Sequence, residues 1–371
     1  MKLNDTQLSQ VDAQIKRLVK TDSYYGKKYR ELGITDVTSQ EAFEELPFSS
    51  KDDLRNAYPL GIQAVPDEEV VRIHSSSGTT GKPVIIPYTA KDVDDWATMF
   101  ARCYETAGVT KKDRVHITPG YGLWTAGYAL LLAEEIDKRG LKDKIHLKKG
   151  VFGSERWSEK KREYIKEKLG IELYDIYGLT EIYGPGIGIS CDAQNGMHYW
   201  DDYVYIEIID PKTGKTLPDG EEGEIVITTL VKEGAPLIRF RTHDISRIIP
   251  GECPCGRKHP RLDIIKGRSD DMFKVHGVNM FPSQVEELLA LVDGVPSEYT
   301  INIAHDEPAN KDIMLVTVEA EGRVDFEQTG RQIRDLFKSR IGVTPKITVV
   351  PVGTLPRSEK KTQRVIDHRE Q

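Results

Sequence analysis

The sequence predicts an α/β protein with a large N-terminal domain, built of strand and helix layers plus a β-rich subdomain, and a small α+β C-terminal domain. Three observations predict it. Strand-like and helix-like segments alternate as far as Tyr203, which favours a mainly parallel sheet. Beyond Tyr203, strand-like runs at 204–209, 223–230, 237–241 and 245–249 follow one another through short turns, one of them Pro211-Lys212-Thr213-Gly214. From Asp270 onward, helix and strand patterns resume over roughly a hundred residues, an ordinary domain size. The expected division is 1–269, with the β-rich part at about 197–266, and 270–371.

In chain order, 4–18 has helical spacing, and Ser50 before Lys51-Asp52-Asp53-Leu54 reads as an N-cap. Val70 to His74 and Val84 to Tyr88 read as strands flanking a loop. Thr89 caps a helix running to Ala107, with Gly108 as its stop. A buried strand is expected at 115–118. Ser158 caps an amphipathic helix that ends at Gly170, and a strand follows at 171–176. The last unit reads as helix 282–292, strands 299–304 and 313–320, helix 326–341 and strand 346–352.

Composition narrows the function classes. Of 371 residues, 38% are hydrophobic and 30% charged, which describes a soluble globular protein. No apolar run is long enough for a membrane span. A net charge of -7 argues against nucleic acid as the main partner. The polar N-terminal stretch has no apolar signal core, so a cytoplasmic location is expected. Four cysteines make no disulfide framework.

The loop Ser75-Ser76-Ser77-Gly78-Thr79-Thr80-Gly81-Lys82-Pro83 carries the strongest chemical signal. Glycines let backbone N–H groups converge on an anion, and the hydroxyls add donors, so the loop reads as a phosphate cradle. It is not the GxxxxGK[ST] P-loop. Gly78 and Gly81 are too close together, and Pro83 stands where the hydroxyl residue should be and blocks the helix that should follow. A P-loop kinase or GTPase is therefore set aside.

The loop resembles the signature of the adenylate-forming (acyl-CoA synthetase) superfamily, and further motifs occur in that superfamily's order. Tyr177-Gly178-Leu179-Thr180-Glu181 resembles YGxTE, and Phe240-Arg241-Thr242-His243-Asp244 resembles (Y/F)RTxD. Gly267 to Gly277 resembles the hinge motif, and Leu355 to Arg364 the C-terminal lysine motif. Within the superfamily the chain is most similar to the phenylacetate-CoA ligase family, through Gly153-Ser154-Glu155-Arg156-Trp157, Gly184-Pro185-Gly186, Cys253-Pro254-Cys255-Gly256-Arg257 and Val278 to Gln284.

The resemblance implies a two-step ligase. A carboxylate attacks the α-phosphorus of ATP to give acyl-AMP and pyrophosphate, and the thiol of coenzyme A then displaces AMP. It implies that Ser76, Ser77, Gly78, Thr79, Thr80, Gly81 and Lys82 hold the phosphates. Glu181 is the expected Mg²⁺ carboxylate, and Thr180 contacts the α-phosphate. Gly153, Ser154, Glu155 and Asp175 fall at adenine-binding positions. Tyr177, beside Gly178, would stack on the base or serve as a core tyrosine. Asp244 would accept the ribose hydroxyls, or cap a turn. Arg268 would contact ribose or phosphate, Asp270 is the hinge, and Lys274 and Gly277 face coenzyme A after rotation. Lys361 is the expected adenylation lysine by register with Pro356 and Arg364. Lys360, where the family usually has glycine, is the neighbouring alternative. The implied partners are a small aryl carboxylic acid, ATP and coenzyme A, with no nucleic acid or membrane, and a second copy of the chain as a homodimer. Two other functions stay open: an adenylating enzyme that serves a carrier protein, and a nucleotide-binding remnant.

Cys253 and Cys255 with His259 resemble a metal knuckle, and Cys191 supplies a third thiol. The expected site is one structural Zn²⁺ held by Cys191, Cys253, Cys255 and His259, with His198 as the rival fourth ligand and reduced, unmetallated cysteines as the alternative. Cys103 falls in a helical pattern and reads as packing. The chain also departs from its family. After Gly127 the family has a helix–strand–helix–strand passage before the helix that matches 128–140. Here the two are joined directly, about fifty residues or one to two βα units short. Either the chain carries a deletion, or its numbering closes over a segment. Loss of the passage would remove part of the acyl pocket and expose strand edges and apolar surface.

Overall fold

The computed structural model describes residues 2–76, 83–116, 132–133, 135–153, 159–296, 298–306, 311–356 and 364–369. The chain forms two compact units. The first comprises 1–118, 140–155 and 170–265, and the second 119–139, 156–169 and 266–371.

In the first unit, polar caps start the helices where the sequence predicts. Asn4 and Gln7 form a reciprocal capping box at α1 (Asp5–Leu18). Two short helices follow, α2 (Tyr24–Glu31) and α3 (Gln40–Glu44). Ser50 and Asp53 cap α4 (Lys51–Asn56) in the same way as α1. Strands β1 (Arg72–Ser75) and β2 (Ile85–Tyr88) form an antiparallel pair of their own, with Val71 and Ile73 more than half exposed. Thr89 and Asp92 cap α5 (Ala90–Thr106), and Gly108 closes it with φ +69°.

The remaining strands of the first unit are β3 (Lys149–Phe152), β4 (Glu172–Leu179), β5 (Gly184–Ser190), β6 (Met197–Tyr199), β7 (Val204–Ile209), β8 (Gly223–Thr229), β9 (Phe240–Ser246), β10 (Ile248–Ile249) and β11 (Arg261–Leu262). One sheet runs β10-β11-β6-β5-β4-β3. The expected mainly parallel sheet needs correction. Within this sheet, among its described strands, only β3 and β4 pair in parallel, across the helix Glu159–Leu169 in chain order, whereas β4–β5 and β5–β6 pair antiparallel. Short connections return the chain directly and leave no room for a crossover.

Strands β7, β8 and β9 form successive antiparallel pairs. Every residue of β7 and β8 is buried, so these strands read as near-continuous apolar runs. The charge in β7, Glu207, is met by Arg239 at 3.0 Å, with both side chains almost wholly buried. Ile206, Ile208, Ile225, Ile227 and Phe240 belong to the core of this unit.

The second unit contains β12 (Gly267–Arg268), β13 (Phe273–Val275), β14 (Val278–Met280), β15 (Tyr299–Asp306), β16 (Lys311–Ala320), β17 (Lys346–Pro351) and β18 (Val365–Asp367). Its four-stranded sheet runs β17-β16-β15-β18. The central pair is antiparallel and the two outer pairs are parallel. Ile333 and Phe337 of the helix Phe326–Arg340 join Ile301, Val316 and Val318 in the core. The helix expected over 282–292 stops earlier, as Pro282–Leu289. Its end tightens into i→i+3 bonds from Leu291 to Leu288 and from Val292 to Leu289.

Candidate active site

Two buried strands deliver the central carboxylates. The register of β4 against β5 slips between Tyr177 and Gly178, and the turn that follows presents Thr180 and Glu181. The Gly178 backbone lies so close to β5 that an added Cβ would sit 2.0 Å from the Gly184 carbonyl oxygen. Glu181 is 5% exposed, and its Oε1 lies 2.8 Å from Lys51 Nζ. A hard anionic oxygen with a cation seated on it fits the donor chemistry of a Mg²⁺ site.

Strand β9 is bulged against β8, where the register shifts between Glu224 and Val226 and His243 takes φ +65°. Arg241 forks onto the buried Glu224 at 2.9 and 2.7 Å, and His243 lies 3.5 Å from the same carboxylate. Thr242 donates to the Ile225 carbonyl, and its Oγ1 accepts the Asp244 N–H at 3.0 Å. Asp244 is 9% exposed, and its Oδ2 accepts the Tyr177 hydroxyl at 2.7 Å. Asp244 and Tyr177 are thus brought together across two sheets, 67 residues apart in sequence.

The other expected residues fall as follows. Phe152 at the end of β3 is in register with Asp175, whose N–H donates to Ser190 Oγ at 2.9 Å. Gly153 lies against β4, where a Cβ would be 2.7 Å from the Ile176 carbonyl oxygen. Ser76 closes the base of the β1–β2 loop, its Oγ accepting the Val84 N–H at 3.0 Å. Ser77, Gly78, Thr79, Thr80, Gly81, Lys82, Ser154, Glu155, Lys360 and Lys361 lie outside the described residues, as do Ser158 and the junction at 120–128. In the second unit Arg268 forms a two-pronged pair with Asp270 at 2.8 and 2.7 Å. Lys274 is exposed on β13. His276 and Gly277, with φ +50° and +82°, make the tight turn to β14.

The residues that the structure brings together differ from the expected zinc ligand set in one member. Cys191, His198, Cys253 and Cys255 bring their ligand atoms within 4.8 Å of one another, and His259 is not among them. Its Nδ1 is 2.6 Å from Asp201 Oδ1, and its ring stands edge-on to Trp200. It contributes only its backbone carbonyl, which lies 2.7 Å from His198 Nδ1. Cys103 is buried on α5 with its thiol toward the Gly186 carbonyl, in keeping with packing.

Two residues had escaped the sequence reading. Lys51 was legible only as the residue after an N-cap. Lys232 sits in an unremarkable polar stretch after β8, yet it is fully buried. Its ammonium donates to the Ile182 carbonyl, beside Glu181, and lies 4.4 Å from the Tyr88 ring centre and 4.8 Å from that of Tyr183. Gln14 and Arg17 of α1 hold the Lys232 carbonyl, and Asp92 accepts the next two backbone N–H groups at 2.7 Å each.

Burial pulls the Lys232 pKa down from 10.5 to about 7, against the opposing pull of Asp92 and Glu181. The unfolded chain holds this proton up to about 10.5, so the penalty for folding is full below about 7. It is relieved as pH rises between those values. Lys232→Met should therefore stabilise the protein at pH 6 relative to its effect at pH 9.5, by on the order of a few kcal/mol. Urea unfolding of both proteins at the two pH values measures this; a stability difference independent of pH would refute it.

Likeness to known proteins makes this an adenylate-forming enzyme. Residues 121–230 match the family model for the AMP-binding enzyme, and residues 277–369 that for the AMP-binding enzyme C-terminal domain. The chain is 36% identical to the phenylacetate-coenzyme A ligase of Pseudomonas putida, over 99% of this chain and 94% of that one. It is also 36% identical to that of Thermus thermophilus, over 96% of each. The chain belongs to the phenylacetate-coenzyme A ligase family. Among solved structures, 2-hydroxyisobutyryl-CoA ligase in its postadenylation state shares the fold, with a TM-score of 0.81 at 23% identity, over 98% of this chain and 89% of that one. The Pseudomonas alignment extends over 419 positions against 371 residues here, so at least 48 of its positions fall opposite no residue of this chain.

Proposed function

We propose that this enzyme activates an aryl carboxylate of the phenylacetate type with ATP and transfers the acyl group to coenzyme A. The observation that carries the reading is the pairing of a buried ribose-type acceptor, Asp244 held by Tyr177, with a buried carboxylate, Glu181, at the turn that follows β4. In this reading Asp244 accepts the ribose hydroxyls, while Asp175 and the backbone at Gly153 flank the adenine. Thr180 donates to the α-phosphate, and the 75–82 loop holds the outer phosphates. Bringing a carboxylate to a polyphosphate requires positive charge, which Lys361 supplies at the reacting atoms. Mg²⁺ held by Glu181 would neutralise phosphate charge. Rotation at Asp270 would then exchange the Lys361 loop for the face carrying Lys274 and Gly277.

The same reading includes a structural zinc ion, a cytoplasmic location and a homodimer. Four free cysteines agree with a reducing compartment. Among the described residues no helix is long and apolar enough to cross a membrane.

The decisive measurement is pyrophosphate release with phenylacetate, benzoates and short fatty acids, followed by AMP release with and without coenzyme A. Phenylacetate-stimulated pyrophosphate release with coenzyme A-dependent AMP release is expected. Pyrophosphate release without any effect of coenzyme A would move the function to another acyl acceptor. No release with any acid would leave a nucleotide-binding remnant.

A further inference from the structure

We propose that Cys191, His198, Cys253 and Cys255 form a closed, structural zinc site that fastens the β5–β6–β11 end of the large sheet. The inference is independent of which acid the enzyme activates.

The four ligand atoms lie within 4.8 Å of one another, and two of their pairs stand close to the spacing of a tetrahedral zinc site. Zinc bonds of about 2.3 Å to sulfur and 2.0 Å to nitrogen place ligand atoms about 3.7 Å apart for two sulfurs and about 3.5 Å for sulfur and nitrogen. Cys191 Sγ and Cys253 Sγ are 3.6 Å apart, and Cys255 Sγ is 3.2 Å from His198 Nε2. A disulfide would need about 2.05 Å, so the thiols are neighbours without being bonded.

The surroundings favour a metal over packing. His198 is fully buried, and its Nδ1 is spoken for by the His259 carbonyl at 2.7 Å. A proton on Nδ1 satisfies that bond and leaves the Nε2 lone pair facing the sulfurs. This is the outer contact that orients metal-bound imidazoles. Backbone N–H groups two residues on, of Ala193 and Arg257, approach the sulfurs of Cys191 and Cys255. The Cys253–Gly256 turn is closed by the Gly256 N–H on the Cys253 carbonyl, with Gly256 at φ +79°. Arg261 of β11 braces its approach through the carbonyls of Gly251 and Glu252. The ligands come from the end of β5, from β6 and from the turn between β10 and β11, so one ion would join segments 62 residues apart. With four protein ligands no coordination position remains for substrate, which makes the role structural.

The test is zinc content by elemental analysis of protein expressed with added zinc and dialysed against a weak chelator. One zinc per chain is expected. His198→Ala should weaken zinc binding at least 10–100-fold in chelator competition, the range that even outer-contact changes reach. His259→Ala keeps the carbonyl and should change it less than that. Retention in His198→Ala with loss in His259→Ala would overturn the ligand set. Because a ligand variant can fail to fold, the unaltered protein is also loaded with cobalt(II). Intense visible bands of a tetrahedral thiolate complex support the site. A pale octahedral spectrum, or four native thiols titrating freely beside a zinc content near zero, refutes it.

Discussion

Glu181→Gln should lower pyrophosphate release by about 10²–10³-fold, the usual consequence of removing one preorganised electrostatic group. Glutamine keeps the shape and loses the charge. Glu181 is buried, so no other carboxylate can swing in cheaply from solvent, and Lys51 is the cation it already holds at 2.8 Å. Lys51 is 38% exposed and can return to water when its partner is neutral, so stability should fall by no more than about 1 kcal/mol. The pattern to measure is a large loss in rate, a Mg²⁺ requirement displaced to higher concentration, and a nearly unchanged melting temperature. Full activity at ordinary Mg²⁺ would remove Glu181 from the metal role. Loss of rate with a collapse in stability would reduce it to a folding residue.

Lys361→Ala should leave ATP binding close to normal and lower acyl-adenylate formation by about 10²–10³-fold. The lysine is asked to stabilise charge that moves between carboxylate and α-phosphate, which exists fully only in the transition state. Thioester formation from supplied acyl adenylate and coenzyme A should be unaffected, because the Lys361 loop is expected to have left the site by then. Lys360→Ala is the internal control. Normal adenylation in Lys361→Ala, with the loss appearing in Lys360→Ala, would shift the register by one residue.

Local signals in the sequence were read correctly where local physics decides. Ser50 and Thr89 start helices because their side chains satisfy N–H groups a few residues ahead, and that information is adjacent in sequence. The Asp244 motif is local in the same sense, since Thr242 Oγ1 accepts the Asp244 N–H two residues on. What escaped was decided by distant residues. Lys232 looks like any surface lysine until α1 and α5 clamp the backbone beside it. The choice between His198 and His259 turns on a carbonyl and on Asp201, neither of which a spacing rule weighs. The antiparallel pairing of β4, β5 and β6 is not legible because β5, with three glycines and a proline in seven residues, and the three-residue β6 carry no strand signal.

Position 178 shows what a motif letter can mean. A methyl group there would collide with the main chain of Gly184 and Pro185, and no rotation of a side chain relieves a clash between backbones. The glycine between Tyr177 and Leu179 is thus demanded by the architecture and would persist in a descendant that had lost all ligase activity. Glu181, three residues on, meets no such backbone clash; what holds it is the Lys51 ammonium at 2.8 Å. The glycine of the motif therefore reports on the fold of the hairpin, and only a measurement on a variant such as Glu181→Gln reports on what its glutamate does.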